Sequence, residues 1–227
     1  MFACQKNYLS SGTLTDLPQT QQMTFTDKLR RRFGGVADGV ARFLNDLGIH
    51  PDLVTLFGML GHVLAAYLAA RGWISWSGIT LALLAPLDFI DGTMARLRGV
   101  PSRFGAFFDS VIDRYSELII MGGLLIYYLY KDPLACVLVY LVAAGSVMVP
   151  YTRARAEALG YELKAGLLSR VERYLVLIPA LVFNFPLVGL WIMAVLTNIT
   201  AVQRIWIMRK MTLESNKPTQ ESSKDQG

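Results

Sequence analysis

Apolar residues in this chain gather into long runs, separated by short polar or basic breaks, between Asp52 and Arg209. Runs of this length suit helices that cross a bilayer, whose hydrocarbon takes about 20 apolar residues to span. Six spans are predicted: Asp52–Ala70, Trp73–Arg96, Gly105–Tyr130, Pro133–Arg155, Leu168–Phe185 and Pro186–Arg209. Pro86, Pro150 and Pro179 fall inside the second, fourth and fifth, which need not be straight. Ahead of them, Phe25–Leu47 mixes apolar and basic positions at a helical period. That predicts a helix lying in the membrane interface, with an ordinary soluble helix packed on the protein as the competing reading. Pro51 suits the first turn of the helix that follows. The expected architecture is an all-α polytopic membrane protein, with six transmembrane helices preceded by a cytoplasmic interfacial amphipathic helix. Its parts are a polar arm over 1–24, the interfacial helix and link over 25–50, the six-helix domain over 51–210 and a disordered polar tail over 211–227.

Composition supports one membrane domain: 53% of residues are apolar and the mean hydropathy is +0.40. Cys4 and Cys136 are too few for a disulfide framework or a zinc site. The first twenty residues lack a basic stretch followed by an apolar core, so they do not read as a signal peptide. The net charge of +5 points to anionic lipid and membrane topology and not to nucleic acid, because the basic residues cluster beside the apolar spans. Under six spans, Lys28, Arg30–Arg32, Arg96, Arg98, Arg103, Arg153, Arg155, Lys164, Arg170, Arg173, Arg204, Arg209 and Lys210 share one side. Arg71 and Lys131 face the other. The positive-inside rule then places both termini on the cytoplasmic side of the cell membrane.

The candidate chemistry lies in Asp88-Phe-Ile-Asp91-Gly92-Thr-Met-Ala95-Arg96 and, eight residues on, Gly105-Ala-Phe-Phe-Asp109-Ser-Val-Ile-Asp113. Carboxylates beside apolar spans are costly unless they are paired or bind cations. Asp88 and Asp91 share one helix face, as do Asp109 and Asp113. A basic turn between the two helices would bring these faces together. Such oxygen donors suit Mg²⁺ or Mn²⁺, and a pair of ions about 3.5–4 Å apart can hold a diphosphate. A proton or cation pathway in a transporter is the other reading of clustered intramembrane carboxylates.

The pattern D-x2-D-G-x2-A-R-x8-G-x3-D-x3-D resembles the signature of the CDP-alcohol phosphatidyltransferases, with every fixed position present. The resemblance covers roughly Leu47–Arg209. It implies a site with two divalent ions, a CDP-linked lipid donor such as CDP-diacylglycerol, and a cytoplasmic active site in what is usually a homodimer. Asp88, Asp91, Asp109 and Asp113 would be metal ligands, and Asp113 the general base. Gly92 and Ala95 would let cytidine approach, while Gly105 permits close helix approach. Asp52, Thr55 and Arg96 complete the expected CDP-lipid site, because Pro51, Asp52 and Thr55 match a first-span motif of the family.

The acceptor is read from arginines. Arg153-Ala-Arg155-Ala-Glu157-Ala-Leu-Gly160, Arg170-Val-Glu172-Arg173 and Val202-Gln203-Arg204 are similar to segments of the bacterial phosphatidylinositol-phosphate synthases. The run from Asp113 to Glu117 follows their Asp-Arg-x-Ser/Ala-Asp/Glu style. Arg153 replaces a lysine of that pattern and Val171 a proline. The resemblance implies that Arg153, Arg170 and Arg173, with Arg155 and Arg204 beside them, bind the phosphate of a small phosphorylated polyol, myo-inositol 1-phosphate. Arginine geometry suits a phosphate. Glu157 and Glu172 are placed to orient these arginines. The alternatives are glycerol 3-phosphate or an unphosphorylated alcohol as acceptor and, further off, a cation-coupled transporter or a non-catalytic scaffold.

Overall fold

A computed structural model describes residues 35, 38–98, 103–161, 163 and 170–215. All lie in the second of two units into which the chain divides, Met1–Gly34 and Gly35–Gly227. The predicted arm, the predicted interfacial helix before residue 35 and the tail from residue 216 lie outside the described residues. The described chain is helical: α1 (38–46), α2 (Pro51–Ala70), α3 (Ile74–Leu84), α4 (Leu87–Leu97), α5 (Arg103–Tyr128), α6 (Pro133–Ala158), α7 (Arg170–Val182) and α8 (Pro186–Ser215). α8 thus continues past residue 210 into the segment read as a polar tail.

Local chemistry sets the boundaries. Pro51 opens α2, where the His50 ring accepts the Asp52 N–H. Pro133 opens α6, where the Asp132 carboxylate accepts the Leu134 and Ala135 N–H groups. Both prolines stand where no intrahelical N–H is needed. Gly72 and Gly160 follow α2 and α6 at φ +84°, a left-handed backbone that glycine adopts without steric cost.

The expectation of six spans is corrected. Among the described residues three helices are long and apolar enough to cross a membrane, Pro51–Ala70, Pro133–Ala158 and Pro186–Leu213, and Ile74–Leu84 is apolar but short. The predicted second span divides at Ala85-Pro86 into α3 and α4, of 11 residues each. Proline lacks the N–H that would continue the ladder, and its ring crowds the preceding turn. The predicted third span, α5, carries Arg103, Asp109, Asp113, Arg114 and Glu117 along its first half. The fifth, α7, has only 13 residues and opens with Arg170, Glu172 and Arg173.

The protein is nonetheless a multi-pass membrane protein, and α2 shows why. Its large apolar side chains Leu53, Phe57, Leu60 and Leu64 are exposed, while Val54, Ala65, Ala66 and Ala69 are buried. Water would penalise that arrangement, whereas lipid permits it and small residues bring helices close. α2 packs on α3, α4 and α5, α6 on α5 and α8, and α7 on α3 and α8. One core joins α2, α3, α5, α6, α7 and α8, and a smaller one joins Ala41, Val54, Ile90 and Met94. Of the pair Gly122-Gly123, Gly123 makes the close approach: a Cβ there would lie 2.4 Å from the Ala66 carbonyl oxygen.

Candidate active site

The first half of the motif is held by α4 against α2. Asp91 is buried, and Thr55 Oγ1 from α2 donates to its Oδ2 at 2.7 Å. The Gly92 N–H donates to Oδ1 at 2.5 Å. Both carboxylate oxygens are therefore oriented by donors. Thr55, expected at the CDP-lipid, meets a carboxylate of the motif. Asp52 stands in the first turn of α2, 3.3 Å from His50 Nδ1. Beyond its own helix backbone and chain neighbours, the nearest described atom to where a Gly92 Cβ would stand is Arg96 Nη1 at 3.7 Å, so the packing of the described residues does not demand a glycine there. Arg96 is exposed and donates to Thr93 Oγ1 at 2.8 Å, Ala95 is half-buried on α4, and Gly105 is half-buried in the first turn of α5. α4 is itself steadied from α1, since Asn45 Nδ2 donates to the Met94 carbonyl at 3.3 Å and Asn45 Oδ1 accepts from Arg98 Nε at 2.8 Å.

On α5, Asp109, Asp113 and Glu117 recur every fourth residue and so line one face. Arg170 reaches this face from α7, with Nη1 2.5 Å from Asp113 Oδ1 and Nε 3.7 Å from Glu117 Oε1. Arg114 adds a contact to Asp113 at 3.8 Å. Arg173, one turn on, donates through Nη2 to Glu117 Oε1 at 2.6 Å and is only 5% exposed. Its Nε and Nη1 are buried with no hydrogen-bond partner among the described residues. Glu117, Ser146, Arg173 and Tyr174 line one cleft with Ile120 and Leu177.

A second device holds α7. His62 of α2 is buried, its Nδ1 2.8 Å from the Gly58 carbonyl and its Nε2 2.8 Å from the Tyr174 hydroxyl. A carbonyl only accepts, so Nδ1 carries the proton, and in the neutral ring Nε2 accepts from Tyr174. The Arg170 guanidinium lies 5.5 Å from the centre of the Tyr174 ring, within cation–π reach.

The arginines predicted for the acceptor separate into two groups. Arg204 is buried on α8, donates through Nη1 to the Val149 carbonyl, and lies within electrostatic reach of Arg153, Arg173 and Glu157. Arg153 pairs with Glu157 at 2.8 Å on an exposed stretch of α6. Arg153, Arg173 and Arg204 therefore share one field, Arg170 is engaged with Asp113, and Arg155 is exposed. Among the described residues no three His, Cys, Asp or Glu side chains form a cation cage. The side chain of Asp88 lies outside the described residues.

Sequence reasoning passed over Glu117, His62 and Tyr174. For Glu117 a signal existed, because it continues the four-residue spacing of Asp109 and Asp113. A lone histidine and a tyrosine in apolar helices carry no such signal, since nothing local reveals that they meet.

A multi-pass helical protein with an oriented carboxylate motif and a buried arginine cluster is a membrane enzyme of phosphate chemistry. The profile of the CDP-alcohol phosphatidyltransferases matches residues 48–206, and the chain belongs to that family. It is 34% identical to the phosphatidylinositol phosphate synthase of Streptomyces avermitilis over 87% of this chain and 88% of that one. It is 35% identical to the archaetidylinositol phosphate synthase of Pyrococcus horikoshii over 81% of this chain and 96% of that one. The Mycobacterium tuberculosis phosphatidylinositol phosphate synthase, solved with CDP-DAG bound, superposes with a TM-score of 0.71 at 30% identity, covering 76% of this chain and 93% of that one. The same mycobacterial protein has been solved in complex with manganese and citrate, also at a TM-score of 0.71 and 30% identity, covering 76% of this chain and 88% of that one.

Proposed function

We propose that this enzyme transfers the phosphatidyl group of CDP-diacylglycerol to myo-inositol 1-phosphate, giving phosphatidylinositol phosphate and CMP. The observation that carries the acceptor class is the shared field of Arg153, Arg173 and Arg204, with two buried nitrogens of Arg173 unmatched by an acceptor among the described residues. A phosphate supplies the charge and the oxygens that such a pocket requires. Inositol as its carrier rests on the relatives, whose names agree on inositol phosphate. Arg96, Arg98 and Arg103 flank the aspartate motif, and this basic cluster, which does not depend on the number of spans, supports a cytoplasmic site.

The motif fits a divalent cation by the chemistry of its donors, hard carboxylate oxygens with Asp91 already oriented by Thr55 and the Gly92 N–H. Asp88, Asp91, Asp109 and Asp113 would hold two Mg²⁺ or Mn²⁺ ions, which neutralise the diphosphate and the departing CMP. Asp113 takes the proton from an acceptor hydroxyl. The hydroxyl oxygen attacks the phosphorus that bears the diacylglycerol, the bond from that phosphorus to the CMP oxygen breaks, and CMP leaves with the electron pair. Arg170 keeps the Asp113 carboxylate aimed before the acceptor arrives. Asp52, Gly92, Ala95, Arg96 and Gly105 bound the nucleotide, where the bare backbone at Gly92 leaves room for it. Thr55 acts through Asp91, so Thr55→Val should weaken Mn²⁺ binding by roughly 10- to 100-fold. A calorimetric titration of the purified variant checks this, and an unchanged affinity removes the assigned role.

The deciding assay reconstitutes the protein with Mg²⁺ and an ester- or ether-linked CDP-lipid, and measures CMP release with inositol 1-phosphate, glycerol 3-phosphate or free inositol. Release with inositol 1-phosphate alone is expected. Release with glycerol 3-phosphate alone would overturn the acceptor and keep the transfer chemistry. Release with free inositol would overturn the phosphate pocket.

A further inference from the structure

The arginines of the acceptor pocket do not hold themselves. Arg173 is buried, and Arg204 is a like charge within its electrostatic reach. A buried guanidinium with rotamer freedom and only like-charged neighbours would turn away from the cleft or draw water to itself. The contact that restrains it is Glu117 Oε1 at 2.6 Å, and the same oxygen lies 3.7 Å from Arg170 Nε. Helix packing does not duplicate this restraint, because α7 packs mainly on α3 and α8 while Glu117 is on α5.

We infer that Glu117 is a positioning residue for the acceptor: by holding Nη2 of Arg173, it presents Nε and Nη1 of that arginine to the acceptor phosphate. The inference rests on the proposed acceptor chemistry. Glu117 touches neither donor nor reacting atoms. It sits one helical turn beyond Asp113 on the same face of α5, so a single helix carries both the base and the residue that orients the acceptor's anchor.

Orientation and charge balance predict opposite results, which makes the role testable. If Glu117 only neutralised surplus positive charge, removing it would strengthen binding of an anionic acceptor. If it positions Arg173, removing it weakens that binding despite the more positive pocket. Steady-state kinetics of Glu117→Ala and Glu117→Gln should be measured with CDP-diacylglycerol and inositol 1-phosphate each varied in turn. Glu117→Ala is expected to raise KM for the acceptor by roughly 10- to 100-fold, the loss of one charge-assisted hydrogen bond. Glu117→Gln retains an oxygen acceptor at the same reach and should raise it by a smaller factor, roughly 3- to 10-fold. KM for the CDP-lipid should stay within about twofold in both, as expected when uniform binding of one substrate alone is lost.

A KM for the acceptor that stays level or falls overturns the inference, as does a lower kcat with both KM values unmoved, the mark of a merely structural role. Should Glu117→Ala fail to fold, the near-isosteric Glu117→Gln decides the matter alone by the same criterion. A wild-type protein that turns over no phosphorylated acceptor removes the reading beneath the inference. A wild-type protein that does, with unmoved KM in the variants, removes the role of Glu117 only.

Discussion

Asp113→Asn should stop turnover while leaving the helices intact, lowering CMP release by about a thousandfold or more. Asparagine matches aspartate in shape and reach but neither accepts the proton of the acceptor hydroxyl nor carries charge. In this protein the substitution also removes the charge that faces Arg170 at 2.5 Å, while the amide oxygen, Glu117 at 3.7 Å and the face of Tyr174 remain beside the guanidinium. The guanidinium therefore keeps partners, and folding should survive, as circular dichroism would register. Asp113→Glu is the informative companion. It restores charge and basicity but moves the carboxylate by one methylene, so partial recovery would argue that proton transfer, and not charge alone, depends on this side chain. A rate for Asp113→Asn within tenfold of the wild type would remove Asp113 from the chemistry.

The second large effect concerns Arg173. Arg173→Met keeps an unbranched apolar stem in the cleft and removes the guanidinium, and KM for the phosphorylated acceptor should rise by roughly 100-fold or more. Stability should fall as well, because Glu117 would lose its 2.6 Å partner inside the bundle. Breaking one side of a buried ion pair costs about 3–5 kcal/mol. The remaining contact to Arg170 at 3.7 Å should hold the loss toward the lower end of that range. The double variant Glu117→Gln/Arg173→Met separates the two consequences. With the buried charge gone from both sides, stability should recover toward the wild type while the acceptor KM stays high. Recovery of both quantities would mean that the acceptor phosphate does not rely on Arg173.

Much of the candidate site was legible before any coordinates. Asp88, Asp91, Asp109 and Asp113 stand out because a carboxylate beside an apolar run has few uses, and their spacing assigns them to helix faces. The arginines were legible as a group but not as individuals. Sequence spacing could not reveal that Arg170 turns to Asp113 while Arg153, Arg173 and Arg204, from three different helices, share one field. Nor could it reveal that the Thr55 hydroxyl meets Asp91 across 36 positions of chain. The span count failed because window hydropathy averages over a break. Pro86 divides one apolar run into two helices too short to span, and the charges on α5 and α7 sit at the ends where site and span coincide.

The sequence by itself determined the helical class, the membrane setting and the chemistry, since each depends on residue type and short-range spacing. Tertiary structure alone decided which carboxylate each arginine meets, that His62 steadies Tyr174 and that Glu117 governs Arg173. Those pairings join helices far apart in the chain. They depend on crossings where small residues such as Gly123 bring backbones together, and no local pattern encodes the rotation of one helix against another.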